Sequence, residues 1–262
     1  MSYSKKYMVN YMKALDVAMV GICAALYAVV GRLTDFGLVA PTAGVVAFWP
    51  AAVIPAIFAV LYGPWTGGTG AAIGIFIRDM MFHGNALVSL SAGVTSNFAM
   101  FFLIGYISRR ELSWKKIIAS VVVGSAVIGL SASVPLLLFP PGTVITGLTP
   151  FDSMLLFVGV SASSLLIIVL ISYLWPEWKN FAIASVVGLG VGSTIIGVTL
   201  YFLSQFLPLP GGLVNAPTYF ILVWIIWTFA TEIPFLIVIG PPILKAVYRA
   251  FPSLKPSIKE SK

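Results

Sequence analysis

Ionisable residues are scarce in this chain, and the few that interrupt its apolar runs are where chemistry is possible. Glu232 lies midway along an apolar run, two residues before Pro234. An acid at that depth is costly and usually faces a cavity or a partner. Trp224, Trp227, Thr228 and Thr231 share a helical face beside it. Rings, hydroxyls and a carboxylate together suit a flat, polar-edged ligand, cationic ligands included. The plainer alternatives are tryptophans of a membrane belt and an acid that only accompanies a proline kink. Asn97 is the other polar residue at depth. Arg78, Asp79 and His83, the only histidine, close an earlier apolar run, with Asn85 just beyond. This cluster reads as the polar end of a pocket or as an interfacial ion pair that snorkels. Trp49, Arg32, Asp35, Asp152 and Asn215 collect at the same side, and the loop Thr34–Thr42 is placed to cover a pocket there.

The elements that must position these groups are membrane helices. The 262 residues are 60% hydrophobic and 9% charged, against about 25% charged in soluble domains. Mean hydropathy is +1.04. Apolar runs of roughly 20 residues recur, each long enough to span a bilayer, and barrel-type alternation is absent. The fold class is therefore all-α, a polytopic helix bundle forming a single integral membrane domain over 1–262. Eight spans are predicted, at 14–33, 44–62, 64–81, 86–108, 115–139, 151–174, 179–206 and 217–247. Turn chemistry at Gly63-Pro64, His83-Gly84-Asn85, Pro140-Pro141-Gly142, Trp175-Pro176 and Pro210-Gly211-Gly212 separates most of them. Residues 1–13 and the run after them imitate a secretory signal, but no small-residue cleavage site follows, so a retained first helix is expected.

Eight spans put all of the 15 Lys and Arg except Arg32 and Arg78 on one side. By the positive-inside rule both termini are then cytoplasmic. The net charge of +7 thus reads as an orientation signal with contact to anionic lipid, not as a nucleic-acid footprint. One cysteine, Cys23, excludes a disulfide within the chain, and one Cys with one His excludes the usual zinc ligand sets. Gly188–Thr194 imitates a phosphate loop but lacks its lysine and lies within an apolar run. No catalytic set, metal motif or cofactor is expected, and the chain is read as not an enzyme. A weak repeat, Trp114-Lys115 before Ile118–Val122 and Trp178-Lys179 before Ile183–Val187, divides 114–174 from 178–245 as repeated hairpins. Such duplication is common in transporters, and chance similarity between apolar helices is the alternative.

Two stripes of small residues stand out. Gly63, Gly67, Gly70, Ala71 and Gly74 leave one helix face almost bare, so another backbone can lie against it. Ala14, Ala18, Gly21, Ala25 and Ala28 do the same on the first helix, for a partner in this bundle or in another protein.

The first half of the chain resembles the substrate-binding S components of energy-coupling factor vitamin transporters. Ala14–Ala28 resembles their small-residue first helix. Pro50–Val53, Leu61–Pro64, Gly67–Gly74 and Asp79 resemble their second and third helices, and Ser96–Phe98 with Phe102–Ile107 the fourth. Glu232–Pro234 and Pro241–Leu244 loosely resemble the last. The likeness is good over 14–108 and thin beyond, and the family usually has six helices where eight are predicted here. The resemblance implies a cell-membrane protein that binds a vitamin-like micronutrient from outside. Its partners would be a transmembrane coupling subunit, docked on the first-helix stripe, and two cytoplasmic ATPases. The alternative is a self-contained secondary transporter with Glu232 or Asp79 as its ion-coupling group.

Overall fold

The computed structural model describes residues 14–34, 46–110, 112–113, 115, 150–218 and 220–255. The described residues are almost entirely helical and contain no strand. Helix α1 spans Ala14–Thr34, α2 Val53–Tyr62 and α3 Pro64–Phe82. Helix α4 spans Ala86–Ser108, α5 Pro150–Leu174, α6 Lys179–Ser204 and α7 Phe220–Ala250. Short 3-10 turns precede α2 at Pro50–Ala52 and α6 at Pro176–Trp178, and follow α7 at Pro252–Leu254.

Among the described residues, four helical stretches are long and apolar enough to cross a membrane: Ala14–Thr34, Ala86–Ser108, Pro176–Ser204 and Phe220–Ala250. The expected spans at 14–33, 64–81, 86–108, 151–174, 179–206 and 217–247 each coincide with a helix. The fifth, 115–139, lies outside the described residues except for Lys115, as do Asp35, the loop from 35 to 45 and Pro140-Pro141-Gly142. Most of the first repeat copy's leading helix lies there too.

The second span departs from expectation. Its helix has 10 residues, about 15 Å of rise against the roughly 30 Å of a bilayer core. Val46–Trp49 are not helical. Pro50 starts a 3-10 turn instead of continuing a helix from residue 44, because proline disfavours helical backbone in the residue before it. Pro55 falls in the first turn of α2, where its missing N–H leaves no bond unmade, so it does not bend the helix.

Close approach decides the packing. A Cβ on Gly67 would lie 2.3 Å from the Ala59 Cβ of α2, and one on Gly70 2.7 Å from the Cys23 side chain of α1. Gly74 meets the Ala24 carbonyl of α1 in the same way, at 2.8 Å. The bare stripe of α3 is therefore filled by α1 on one side and α2 on the other. Gly188 and Gly192 of α6 seat on Met100 and Ile104 of α4, which makes the phosphate-loop imitation a packing face. Gly63 turns the chain between α2 and α3 at φ +113°, which an L side chain adopts only under strain. Arg109, at the end of α4, closes the same joint: its Nε donates to the Val60 carbonyl at 3.1 Å and its Nη2 to the Leu61 carbonyl at 2.7 Å. Those carbonyls belong to the last turn of α2, which has no helical partner for them.

The start of α1, the α2–α3 joint, the ends of α4 and α7 and the start of α6 share one end of the bundle. Arg109 there feels both Asp16 and Tyr248, and the Asn180 amide donates to the Arg110 carbonyl at 2.7 Å. The C-terminus of α3 and the N-terminal turns of α2 and α4 lie at the other end, together with the α6–α7 loop. Asn215 in that loop has φ +50°, and Ser204 and Gln205 tie the loop to α6.

Candidate functional site

A cavity of about 70 Å³ lies at that second end. The half-length of α2 makes room for it, since non-helical Val46, Ala47 and Trp49 form part of its wall. Helix α3 contributes Ile75, Arg78 and Asp79, with His83 at its C-cap; α4 contributes Val88, Ala92, Gly93 and Asn97. Ile196 and Leu200 of α6 and Glu232 of α7 complete it. Six residues expected at a site from sequence, Trp49, Arg78, Asp79, His83, Asn97 and Glu232, thus meet around one space.

Arg78 and Asp79 are both buried, with Nη1 3.2 Å from Oδ1. The guanidinium also lies 4.7 Å from the Trp49 ring centre and 4.3 Å from that of Phe82. Flat cation on aromatic face is a favourable arrangement, stronger when desolvated. The pair is therefore an internal structural unit and does not snorkel to the surface. The second Asp79 oxygen accepts from the Ser89 hydroxyl at 2.8 Å. His83 Nδ1 accepts from the Asn85 amide at 3.0 Å, which assigns its proton to Nε2, 3.8 Å from Asp79 Oδ1. Burial pulls the His83 pKa below its ordinary value against the opposing pull of Asp79, with Arg78 adding to the lowering. A ring that accepts at Nδ1 is the neutral form of the imidazole.

Asn97 bridges α1 and α4. Its Oδ1 accepts from the Tyr27 hydroxyl at 2.6 Å and its Nδ2 donates to the Gly93 carbonyl at 2.9 Å. That carbonyl sits in a π-helical stretch, Ser89–Val94, inside α4. A side chain on Gly93 would crowd Asp79, its Cβ falling 2.7 Å from Oδ2. Glu232 is 5% exposed, and its Oε2 has no hydrogen-bond partner among the described residues. Helix α7 runs on unbroken through Pro234, Pro241 and Pro242, so Glu232 does not mark a break.

The remaining expected residues are placed elsewhere. Trp224 and Thr228 are buried outside the cavity wall, Trp224 in an apolar cluster with Phe220, Val88 and Leu200. The Thr228 and Thr231 hydroxyls donate back to the Trp224 and Trp227 carbonyls at 2.8 and 2.7 Å. Trp227, half-buried, packs against the same cluster. Trp224, Trp227 and Thr228 thus work in helix packing, a turn or more before Glu232, and the Thr231 hydroxyl is spent on its own helix. Asn85 is a helix cap, its Oδ1 accepting from the Val88 amide at 3.1 Å. Asp152 lies in α5 at a position whose side chain is not described.

On α1, Ala14, Ala18, Gly21 and Ala25 are exposed, and a Cβ on Gly21 would meet nothing within 4 Å. Ala28 departs from that stripe: it is buried, 2% exposed, because a heptad spacing drifts around a straight helix and carries the fifth position inward.

Sequence reading missed Tyr27, Ser89 and Gly93. Ser89 and Gly93 stand four apart ahead of Asn97, a small-polar ladder that could have been read as one face. Tyr27 gave no signal beyond being an aromatic beside the small stripe.

Compared with protein-family models, curated proteins and solved structures, the chain matches none.

Proposed function

We propose that the protein is the membrane-embedded substrate-binding subunit of an ATP-driven micronutrient uptake system, of the energy-coupling factor kind. The observation that supports this reading most is the two-sidedness of α1. One face sends Tyr27 to Asn97 in the cavity wall. The other exposes Ala14, Ala18, Gly21 and Ala25, over which a partner helix can approach closely. One helix then joins the ligand space to a docking surface. The partners on this reading are a transmembrane coupling subunit and cytoplasmic ATPases, the substrate is a small vitamin-like compound, and the eight-span count and cell-membrane location belong to the same proposal.

The test separates binding from transport. Ala18→Trp and Ala25→Trp should leave the thermal stability of the isolated protein near wild type, because both positions are exposed. The same variants should lose co-purification with the coupling subunit and ATP-driven uptake. Overpacking an internal face would instead cost about 1–3 kcal/mol, so loss of stability in both variants ends the docking reading.

A secondary transporter is the second reading, favoured by the partnerless Oε2 of Glu232, which suits a proton-carrying group in a transport path. Uptake by the reconstituted protein alone, driven by an ion gradient, would select it.

Orientation is tested by labelling. Phe206, 85% exposed, lies in the α6–α7 loop, and exposed Glu177 lies at the basic end. In intact cells Phe206→Cys should react with an impermeant maleimide and Glu177→Cys should not, while buried Cys23 stays silent. The reverse pattern would invert the topology.

A further inference from the structure

The cavity's polar groups differ in what they have left to offer a ligand. Asp79 is matched by Arg78 and Ser89. Asn97 uses its oxygen on Tyr27 and its amide on Gly93. His83 accepts from the Asn85 amide and turns Nε2 toward Asp79. Glu232 alone of the acids in the wall keeps a buried oxygen without a partner among the described residues. The pairing points the same way: Arg78 and Asp79 match each other, His83 accepts at Nδ1 as a neutral ring does, and the carboxyl of Glu232 is the acid left without a counter-charge in the wall. A buried carboxylate without a counter-charge or donor is costly, and a ligand that supplies both removes that cost. The surfaces around it, Ile75, Val88, Ala92, Ile196 and Leu200, are apolar.

We propose that the cavity selects an organic cation, with an N–H-bearing ammonium, amidinium or protonated ring nitrogen seated on Glu232 and an apolar or aromatic body against the aliphatic wall. The proposal rests on this cavity being the substrate site of the transport reading, but its chemistry does not depend on how transport is driven.

Benzylammonium, benzyl alcohol and benzoate share one body and differ in charge, so they probe the seat directly. Binding is measured by thermal shift and calorimetry on the purified full-length protein in detergent. Benzylammonium should bind at least about tenfold more tightly than benzyl alcohol, and benzoate should not bind, as fits one charge-assisted hydrogen bond. Benzyltrimethylammonium, which has the charge but no N–H, should bind more weakly than benzylammonium. Glu232→Gln should erase the preference for the cation, and Glu232→Asp should keep its direction. The wild-type series stands even if Glu232→Gln does not fold. Equal or tighter binding of benzoate, no preference for the cation over benzyl alcohol, or a preference retained in a folded Glu232→Gln protein would overturn the proposal. Failure of ATP-driven uptake with the cation preference intact would overturn the energy-coupling reading and leave the cation seat standing.

Discussion

Asp79→Ala is expected to lower the unfolding free energy of the purified protein by roughly 3 kcal/mol, the range for breaking a buried ion pair from one side. Arg78 is 3% exposed and would keep its charge while losing the carboxylate 3.2 Å away. The Ser89 hydroxyl would lose its acceptor in the same step. Asp79→Asn should be milder, since an amide oxygen still accepts from Ser89 but no longer balances the guanidinium. The double change Arg78→Met/Asp79→Leu should lie closer to wild type than Asp79→Ala, because no charge is then stranded. Denaturant titration in mixed micelles measures all three. If Asp79→Ala falls within about 1 kcal/mol of wild type, the pair is solvated and the description of it as an internal unit is wrong.

Gly67→Ala should be nearly as damaging, although it adds one methyl group. The new Cβ would lie 2.3 Å from the Ala59 Cβ and 2.5 Å from its Cα, and neither atom belongs to a flexible side chain that can swing away. Helices α2 and α3 are joined by the single residue Gly63, so they cannot separate freely to make room. The expected loss is roughly 1–3 kcal/mol, the scale of core overpacking. Gly21→Ala is the matched control. It sits on the open face of α1 with nothing within 4 Å, and should gain about 0.5–1 kcal/mol from helix propensity. Equal effects at the two positions would mean that propensity, not contact, decides both.

These two glycines show what a sequence carries and what it does not. Both lie on stripes of small residues with the same kind of spacing, and both stripes permit close approach. Which one is filled within the bundle depends on the path of α1 and α2, and a one-dimensional pattern does not record that path. The convergence of Arg78, Asp79, His83, Asn97, Glu232 and Trp49 was legible because a polar side chain in an apolar run needs a reason, and a shared cavity is an economical one. The tryptophan–threonine face of α7 met the same criterion less strictly. Threonine hydroxyls can satisfy themselves on the preceding turn, and here they do. The second span misled for a different reason. Apolarity from 44 to 62 is continuous, but hydropathy does not distinguish a helix from extended chain buried in a bundle, whereas Pro50 does.

The π-helical stretch Ser89–Val94 acts as a phase setting for α4. A π turn takes up one more residue than an α turn, so everything after it faces about 100° away from where an unbroken helix would aim it. Upstream of the offset, Ser89 addresses α3 through Asp79; downstream, Asn97 addresses α1 through Tyr27. The helix is in effect two half-helices on one axis, each with its own facing. Winding the same residues as a regular α-helix would swing Asn97 off Tyr27, whereas deleting one residue there would restore a regular turn and leave Asn97 facing α1. A regular helix of the same sequence length would be the poorer binding wall.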